Sequence, residues 1–308
     1  MSDVAGPVAV VGTGTIGAAW AALFLSRGLV VHASDPGEGA DDRLVASLLA
    51  RGCAQDDIDA RLRWYDDAAE AVAGTVFVQE SAPEVPELKA RILSVIDGAA
   101  PPSTVIASSS SGLTPTSMQQ ACARHPERLI VGHPFHPADV VPLVEVVGGA
   151  ATALWALESA MSFYAGLGKR PVHVRAELPG HVVNRLQAAL WREAYSLVQQ
   201  GVVTVADVDA AITQGPGLRW AVVGPFAGQH LSGGPGGIAH TLEHLGPPMV
   251  EWWGALGQPT WGPELVAAVV EQMDAELDGL SSERLAAARD RVLVQILAAR
   301  AAEADLPR

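Results

Sequence analysis

Short runs of β-branched and apolar residues alternate with helix-length stretches along the first half of the chain. VAVVG (8 to 12) precedes a helical pattern over 15 to 27, and VVHASD (30 to 35) follows it. Further strand-like runs are TVFVQE (75 to 80), TVIASSS (104 to 110), LIVGH (129 to 133) and VPLVEVVGG (141 to 149). Such alternation predicts a mostly parallel sheet with helices on both faces. From PGHVVNRLQAALWREAYSLVQQG (179 to 201) the period changes, with apolar positions at 182, 183, 186, 190, 194, 197 and 198 matching an α-helix and Gly201 where a C′ glycine belongs. Thr204 with Asp207 reads as the N-cap and acidic N3 residue of the next helix. No strand signal of comparable strength follows ELPGH, which places a boundary near 177 to 181. The expected domains are 1–178, an α/β sheet domain, and 179–308, an all-α domain. SGGPGG (232 to 237) reads as a loop, and EWWGALGQPTWGP (251 to 263) as a proline- and tryptophan-rich connection.

Composition narrows the partners. The 308 residues are 49% hydrophobic, which fits a globular protein long enough for two cores. A formal charge of −14, with Lys89 and Lys169 the only lysines, argues against nucleic acid and anionic membrane surfaces. Cys53 and Cys122 are isolated and lack metal-ligand spacing, so free thiols in a reducing compartment are expected and no metal site is. Without a signal-like start or a bilayer-length apolar run, the expectation is a soluble cytoplasmic protein.

The turn after the first strand reads VGTGTIG, with Gly12, Gly14 and Gly17 at GxGxxG spacing around Thr15 and Ile16. That spacing is weak alone, but here it leaves an apolar strand and opens a helix, the context of a dinucleotide pyrophosphate site in a Rossmann-type, doubly wound sheet. Asp35 ends the second strand eighteen residues after Gly17 and can hold both ribose hydroxyls. Pro36 and Gly37 follow it in place of an arginine, which favours NAD over NADP.

HPFHPADVVPLVEV (133 to 146) sets Glu145 inside an apolar strand, where a carboxylate is costly unless paired. His133 is the natural partner. Oxidising a secondary alcohol needs a base for the hydroxyl proton while hydride leaves, and histidine suits that exchange near neutral pH. A carboxylate on the far ring nitrogen would fix the tautomer. SSSSG (108 to 112) offers hydroxyls at the carboxyl end of the sheet, and Asn184 an amide for the substrate oxygen.

GTGTIG, QESAPE with Lys89, ASSSSGL, GHPFHP followed by PLVEVV, and PGHVVNR occur in this order over nearly the whole chain, which resembles the 3-hydroxyacyl-CoA dehydrogenase superfamily. The resemblance implies His133 as catalytic base, Glu145 as its orienting carboxylate, Ser111 and Asn184 as ligands of the substrate oxygen, and Glu84 and Lys89 beside the cofactor. It also implies a homodimer formed through the helical domain. Two positions depart from the family: His136 stands where asparagine is usual, and Gly112 replaces a frequent second serine.

The substrate branch is less sharply marked. The segment 37 to 67 carries Arg43, Arg51, Arg61 and Arg63 but no lysine and many aspartates, which disfavours the phosphates of a CoA thioester. GVVTVADVDAAITQGPGLRWAVVGPF (201 to 226) resembles the branches acting on small free hydroxy acids, L-gulonate and most closely L-carnitine. Arg219 is then a candidate for the substrate carboxylate, with a helix-end ion pair as the equal alternative. Trp252 and Trp253, near Trp261 and Glu251, are candidates for a trimethylammonium group, set against a packing role in a core or dimer interface. Short-chain acyl-CoA oxidation and a non-catalytic, crystallin-type use of the NAD fold are the rivals.

Overall fold

The computed structural model describes residues 6–307. It divides into two compact units, one running to Arg185 and the other from Leu186.

The first unit is built on an eight-stranded sheet: β1 (Val8–Val11), β2 (Val31–Ser34), β3 (Leu62–Trp64), β4 (Phe77–Glu80), β5 (Val105–Ser108), β6 (Leu129–Pro134), β7 (Leu143–Gly148) and β8 (Arg170–Val174). Their spatial order is β3-β2-β1-β4-β5-β6-β7-β8, and every pairing is parallel except that of β6 with β7. Both faces are dry. Along β1, Val8 and Val10 enter one core with Trp20, Phe24 and Tyr164. Ala9 and Val11 enter the other with Leu93, Ile96 and Leu129. A parallel strand covered on both faces reads as a continuous apolar run, which is why VAVV carries no polar alternation. Helix α1 (Thr15–Ser26) is buried from Gly17 to Leu25, its alanines allowing close approach to the sheet. The parallel β1, β4, β5 and β6 direct their carboxyl ends to one side, where ligands of such sheets bind.

Two strands escaped the sequence pattern. β3 and β8 are the two edges of the sheet; neither holds a continuous buried run, and β8 includes Pro171. Edge positions do not need the apolar signal of central strands, and they tolerate proline.

The second unit is helical. Among its helices, α8 (Val183–Gln199) begins inside the first unit, and α9 (Val205–Thr213) opens on the expected Thr204–Asp207 capping box. The predicted connection at 251 to 263 is corrected at its start: α12 (Gly237–Ala255) continues through Pro247 and Pro248 and carries Trp252 and Trp253. No helix among the described residues is long and apolar enough to cross a membrane. Cys53 and Cys122 are free thiols, and burial raises that of Cys122 to about 12.

Candidate active site

The glycine turn is sterically specified. Gly12 has φ 90°, and a Cβ there would lie 2.7 Å from the Ala82 backbone nitrogen. At Gly17 a Cβ would lie 1.9 Å from the Gly12 carbonyl oxygen. Gly14 differs: no heavy atom comes within 4 Å of its Cβ position. It is also the N-cap of α1, with no side chain on the cap, so the first amides of the helix are free to meet an anion. The Asp35 carboxylate is preset, accepting from Thr13 N at 2.8 Å and Gly37 N at 2.9 Å. An open backbone approach, a helix N-terminus and an oriented carboxylate fit a dinucleotide cofactor.

Beyond β4, a buried ion pair shapes the next loop. Lys89 Nζ donates to both carboxylate oxygens of Glu80 and to the Ala82 carbonyl, each at 3.0 Å. Lys89 is 1% exposed. It therefore holds the loop from beneath, with its ammonium charge committed to Glu80. Glu84 is partly exposed, 3.6 Å from that ammonium, and ties the loop to the serine turn after β5. It accepts from the Ser110 hydroxyl and from the amides of Gly112 and Leu113 at 2.9 and 3.2 Å. Burial alone would raise the Glu84 carboxyl, but these bonds outweigh it and hold it low. Ser110 is thereby buried, while Ser111 is exposed. Under the turn, Gln79 donates to Ser109 Oγ at 2.8 Å and to the Gly132 carbonyl at 3.3 Å, and accepts from Tyr164 OH at 2.7 Å.

The antiparallel β6–β7 pair explains the buried glutamate. His133 and Glu145 are opposite each other in the register. His133 Nδ1 lies 2.9 Å from Glu145 Oε2. The other carboxylate oxygen accepts from Val182 N at 2.8 Å and Val183 N at 3.1 Å. Burial would raise this carboxyl, but the His133 ring and the two amides keep it below the usual carboxylate range. Glu145 is thus an oriented anion with both oxygens committed. An anion accepts only, so His133 Nδ1 carries its hydrogen and Nε2 is the basic nitrogen. No group among the described residues hydrogen-bonds to Nε2. Asn184 is the second residue of α8, one residue beyond the amides that grip Glu145, and its side-chain amide is likewise unengaged. His136 is exposed.

One residue of this cluster was missed in the sequence. His181 is buried with its ring centre 5.2 Å from that of His133. Its position in PGHVVNR, three residues before Asn184, was the available signal. Arg219 on α10 (Pro216–Trp220), Trp252 and Trp253 belong to the second unit and are exposed.

A 3-hydroxyacyl-CoA dehydrogenase NAD-binding domain model matches residues 7–177, and the corresponding C-terminal domain model matches 180–258. The chain belongs to the 3-hydroxyacyl-CoA dehydrogenase family. It is 48% identical over 299 residues to an L-carnitine dehydrogenase of Streptomyces coelicolor, covering 95% of this chain and 94% of that one. A protein named 3-hydroxyacyl-CoA dehydrogenase from Gibberella moniliformis is 41% identical over 303 residues, covering 95% and 94%. Among solved structures, 5-formyl-3-hydroxy-2-methylpyridine 4-carboxylic acid 5-dehydrogenase, an NAD+-dependent dismutase, superposes with a TM-score of 0.81 at 29% identity, covering 96% of this chain and 99% of that one. As a member of this dehydrogenase family the protein is an NAD-dependent oxidoreductase with a Rossmann-type sheet domain and a helical second domain.

Proposed function

We propose that this dehydrogenase oxidises the 3-hydroxyl of a small free 3-hydroxy acid, with L-carnitine the leading substrate, and that His133 is the base. The carrying observation is the His133–Glu145 pair, in which the Nδ1 bond at 2.9 Å leaves Nε2 as the acceptor for a substrate proton. When bound, NAD supplies the hydride acceptor. Glu145 holds the ring in its reactive tautomer and balances the imidazolium that forms. Ser111 and Asn184 donate to the substrate oxygen as its carbonyl character grows, which favours the transition state over the bound alcohol.

The free-acid reading draws support from the relatives named for carnitine and from the arginines of the 37 to 67 segment. Each of these is tied to the protein itself: Arg43 to the Glu38 carbonyl, Arg51 to Asp139, Arg61 to Asp57 and Arg63 to neighbouring carbonyls. Few donors are left there for the phosphates of CoA. The second unit buries little apolar side chain of its own, chiefly Val198 and Leu265, while Phe226 and Trp261 are 75% and 70% exposed. That supports a homodimer, for which sedimentation at micromolar concentration should give twice the chain mass.

The deciding experiment is NADH formation with L-carnitine, L-gulonate and L-3-hydroxybutyryl-CoA at matched concentrations, with His133→Ala as control. Turnover of L-carnitine, abolished by that substitution, is expected. Turnover of the thioester alone would refute the free-acid reading.

A further inference from the structure

The base, its carboxylate and the substrate-oxygen ligands leave one buried imidazole without a role. His181 is 1% exposed. Its backbone is left-handed, φ 48°, directly after Gly180 at φ 77°, a region that side-chain-bearing residues seldom occupy. The bend turns the Val182 and Val183 amides onto Glu145. It also lays the His181 ring beside that of His133, with centres 5.2 Å apart and planes inclined by 46°.

The tautomer of His181 follows from its partner. Nε2 lies 3.1 Å from the Ser110 carbonyl oxygen. A carbonyl only accepts, so Nε2 bears the hydrogen, and in the neutral ring Nδ1 is a bare lone pair. That Nδ1 is buried and has no partner among the described residues. His181 therefore touches three parts of the site together: the serine turn through Ser110, the base through ring contact, and the segment that grips Glu145 through its own backbone.

We propose that His181 is a positioning residue of the reaction, a neutral imidazole that fixes the Ser110–Ser111 turn against His133 and must remain unprotonated while His133 works. This role rests on His133 being the base. The charged groups facing the ring are His133 on β6, Glu145 on β7 and Glu84 after β4. Both carboxylates are already engaged, Glu145 by His133 and two amides, Glu84 by the serine turn. A proton on His181 Nδ1 would be buried beside the position where His133 receives its own. Burial pushes the His181 ring below the usual imidazole value, and His133 adds to that push, against the pull of the Ser110 carbonyl. Two adjacent rings thus accommodate one proton, and the bond to Ser110 directs it to His133.

Ring-nitrogen NMR of the histidine-labelled full-length protein, with and without NAD, tests the tautomer directly, His181→Gln identifying the signals. The expected state is a neutral ring with hydrogen on Nε2 and a bare Nδ1, persisting at about pH 6, where an ordinary histidine of pKa ~6.5 is mostly charged. A hydrogen on Nδ1, or a charged ring at neutral pH, would overturn the proposal. The kinetic readout is the acid limb of kcat/KM for L-carnitine oxidation, which should fall with a one-proton slope in the native enzyme; a two-proton slope would show both rings charging together and would also overturn the proposal. At alkaline pH, His181→Phe should lose roughly tenfold in kcat, the worth of one neutral hydrogen bond, and His181→Gln, which can still reach the Ser110 carbonyl, should recover part of that loss. Phe behaviour equal to native at every pH would refute the positioning role. Full turnover by His133→Ala would remove the base assignment and this role with it, a result separate from the NMR outcome.

Discussion

Replacing Glu145 with glutamine should lower kcat about 10³-fold while leaving NAD affinity unchanged. The carboxylate accepts from His133 Nδ1 at 2.9 Å and from two amides at 2.8 and 3.1 Å. Glutamine has one acceptor oxygen and one donor nitrogen in that space. The two converging amides claim the oxygen, which points the NH2 group at Nδ1 and stabilises the tautomer with hydrogen on Nε2. His133 then meets the substrate hydroxyl with a donor. Returning the ring to the reactive tautomer sacrifices a hydrogen bond and opposes two donors, about 1–3 kcal/mol. The imidazolium also loses its counter-charge. Opposite charges about 4 Å apart at an effective dielectric of 20 attract by about 4 kcal/mol, of which roughly half counts in a transition state with the proton half transferred. Together these give about 4 kcal/mol, or about 10³-fold. Stopped-flow NADH formation with L-carnitine reads kcat, and calorimetric titration reads NAD binding. A fall of less than tenfold would show that Glu145 neither sets the tautomer nor balances the charge.

Two glycines should separate folding from cofactor binding. Gly17→Ala drives a Cβ to 1.9 Å from the Gly12 carbonyl and should lower both the melting temperature and NAD affinity, whereas Gly14→Ala meets no protein atom within 4 Å and should weaken NAD alone; equal melting losses in the two would contradict the geometry. If Asp35 holds the ribose as proposed, Asp35→Ala should raise the Kd for NAD by roughly tenfold to a hundredfold, while narrowing the preference over NADP; an unchanged NAD/NADP ratio in calorimetry would refute that placement. Burial pushes the Lys169 ammonium, which donates to the Ala138 and Val141 carbonyls, down to about 8, against about 10.4 in an unfolded chain. The unfolded state therefore binds more protons between those values, and this residue's contribution to stability is lost as pH falls through about 8. Relative to Lys169→Met, the native protein should gain about 2 kcal/mol in urea unfolding from pH 8 to 10; parallel pH curves would rule this out.

The parts of the fold that read clearly from sequence are those whose physics is local. β1 and α1 announce themselves because a strand buried on both faces must be continuously apolar and its turn must be glycine. The Thr204–Asp207 cap is a three-residue pattern, and the box forms as expected. What stayed hidden depends on neighbours. Leu62–Trp64 and Arg170–Val174 become strands because Val31–Ala33 and Leu143–Val147 offer them an edge; their own residues are too polar to signal it. Residues 251 to 263 read as a connection, yet α12 runs on to Ala255. Lys89 stands in a family motif, but only the folded loop shows that Glu80 consumes its charge. His181 is marked only by its place in PGHVVNR, and its significance lies in a left-handed backbone and in contacts with residues far away along the chain.

The inversion at β7 is the feature that unites the site. Had β7 run parallel to β6 like the other neighbours, it would have needed a long crossover of a dozen or more residues. The antiparallel return spans only residues 135 to 142 between the two strands. It brings Glu145 back to the level of His133, so that register fixes the pair. The same strand then presents its second oxygen outward to the amides at 182 and 183, just ahead of Asn184. One carboxylate thereby sets both the tautomer of His133 and the entry of the chain into α8. This double duty accounts for a glutamate in the middle of an apolar strand: its cost of burial is offset by three hydrogen bonds, and each of those bonds places a residue assigned to the chemistry or adjoining one.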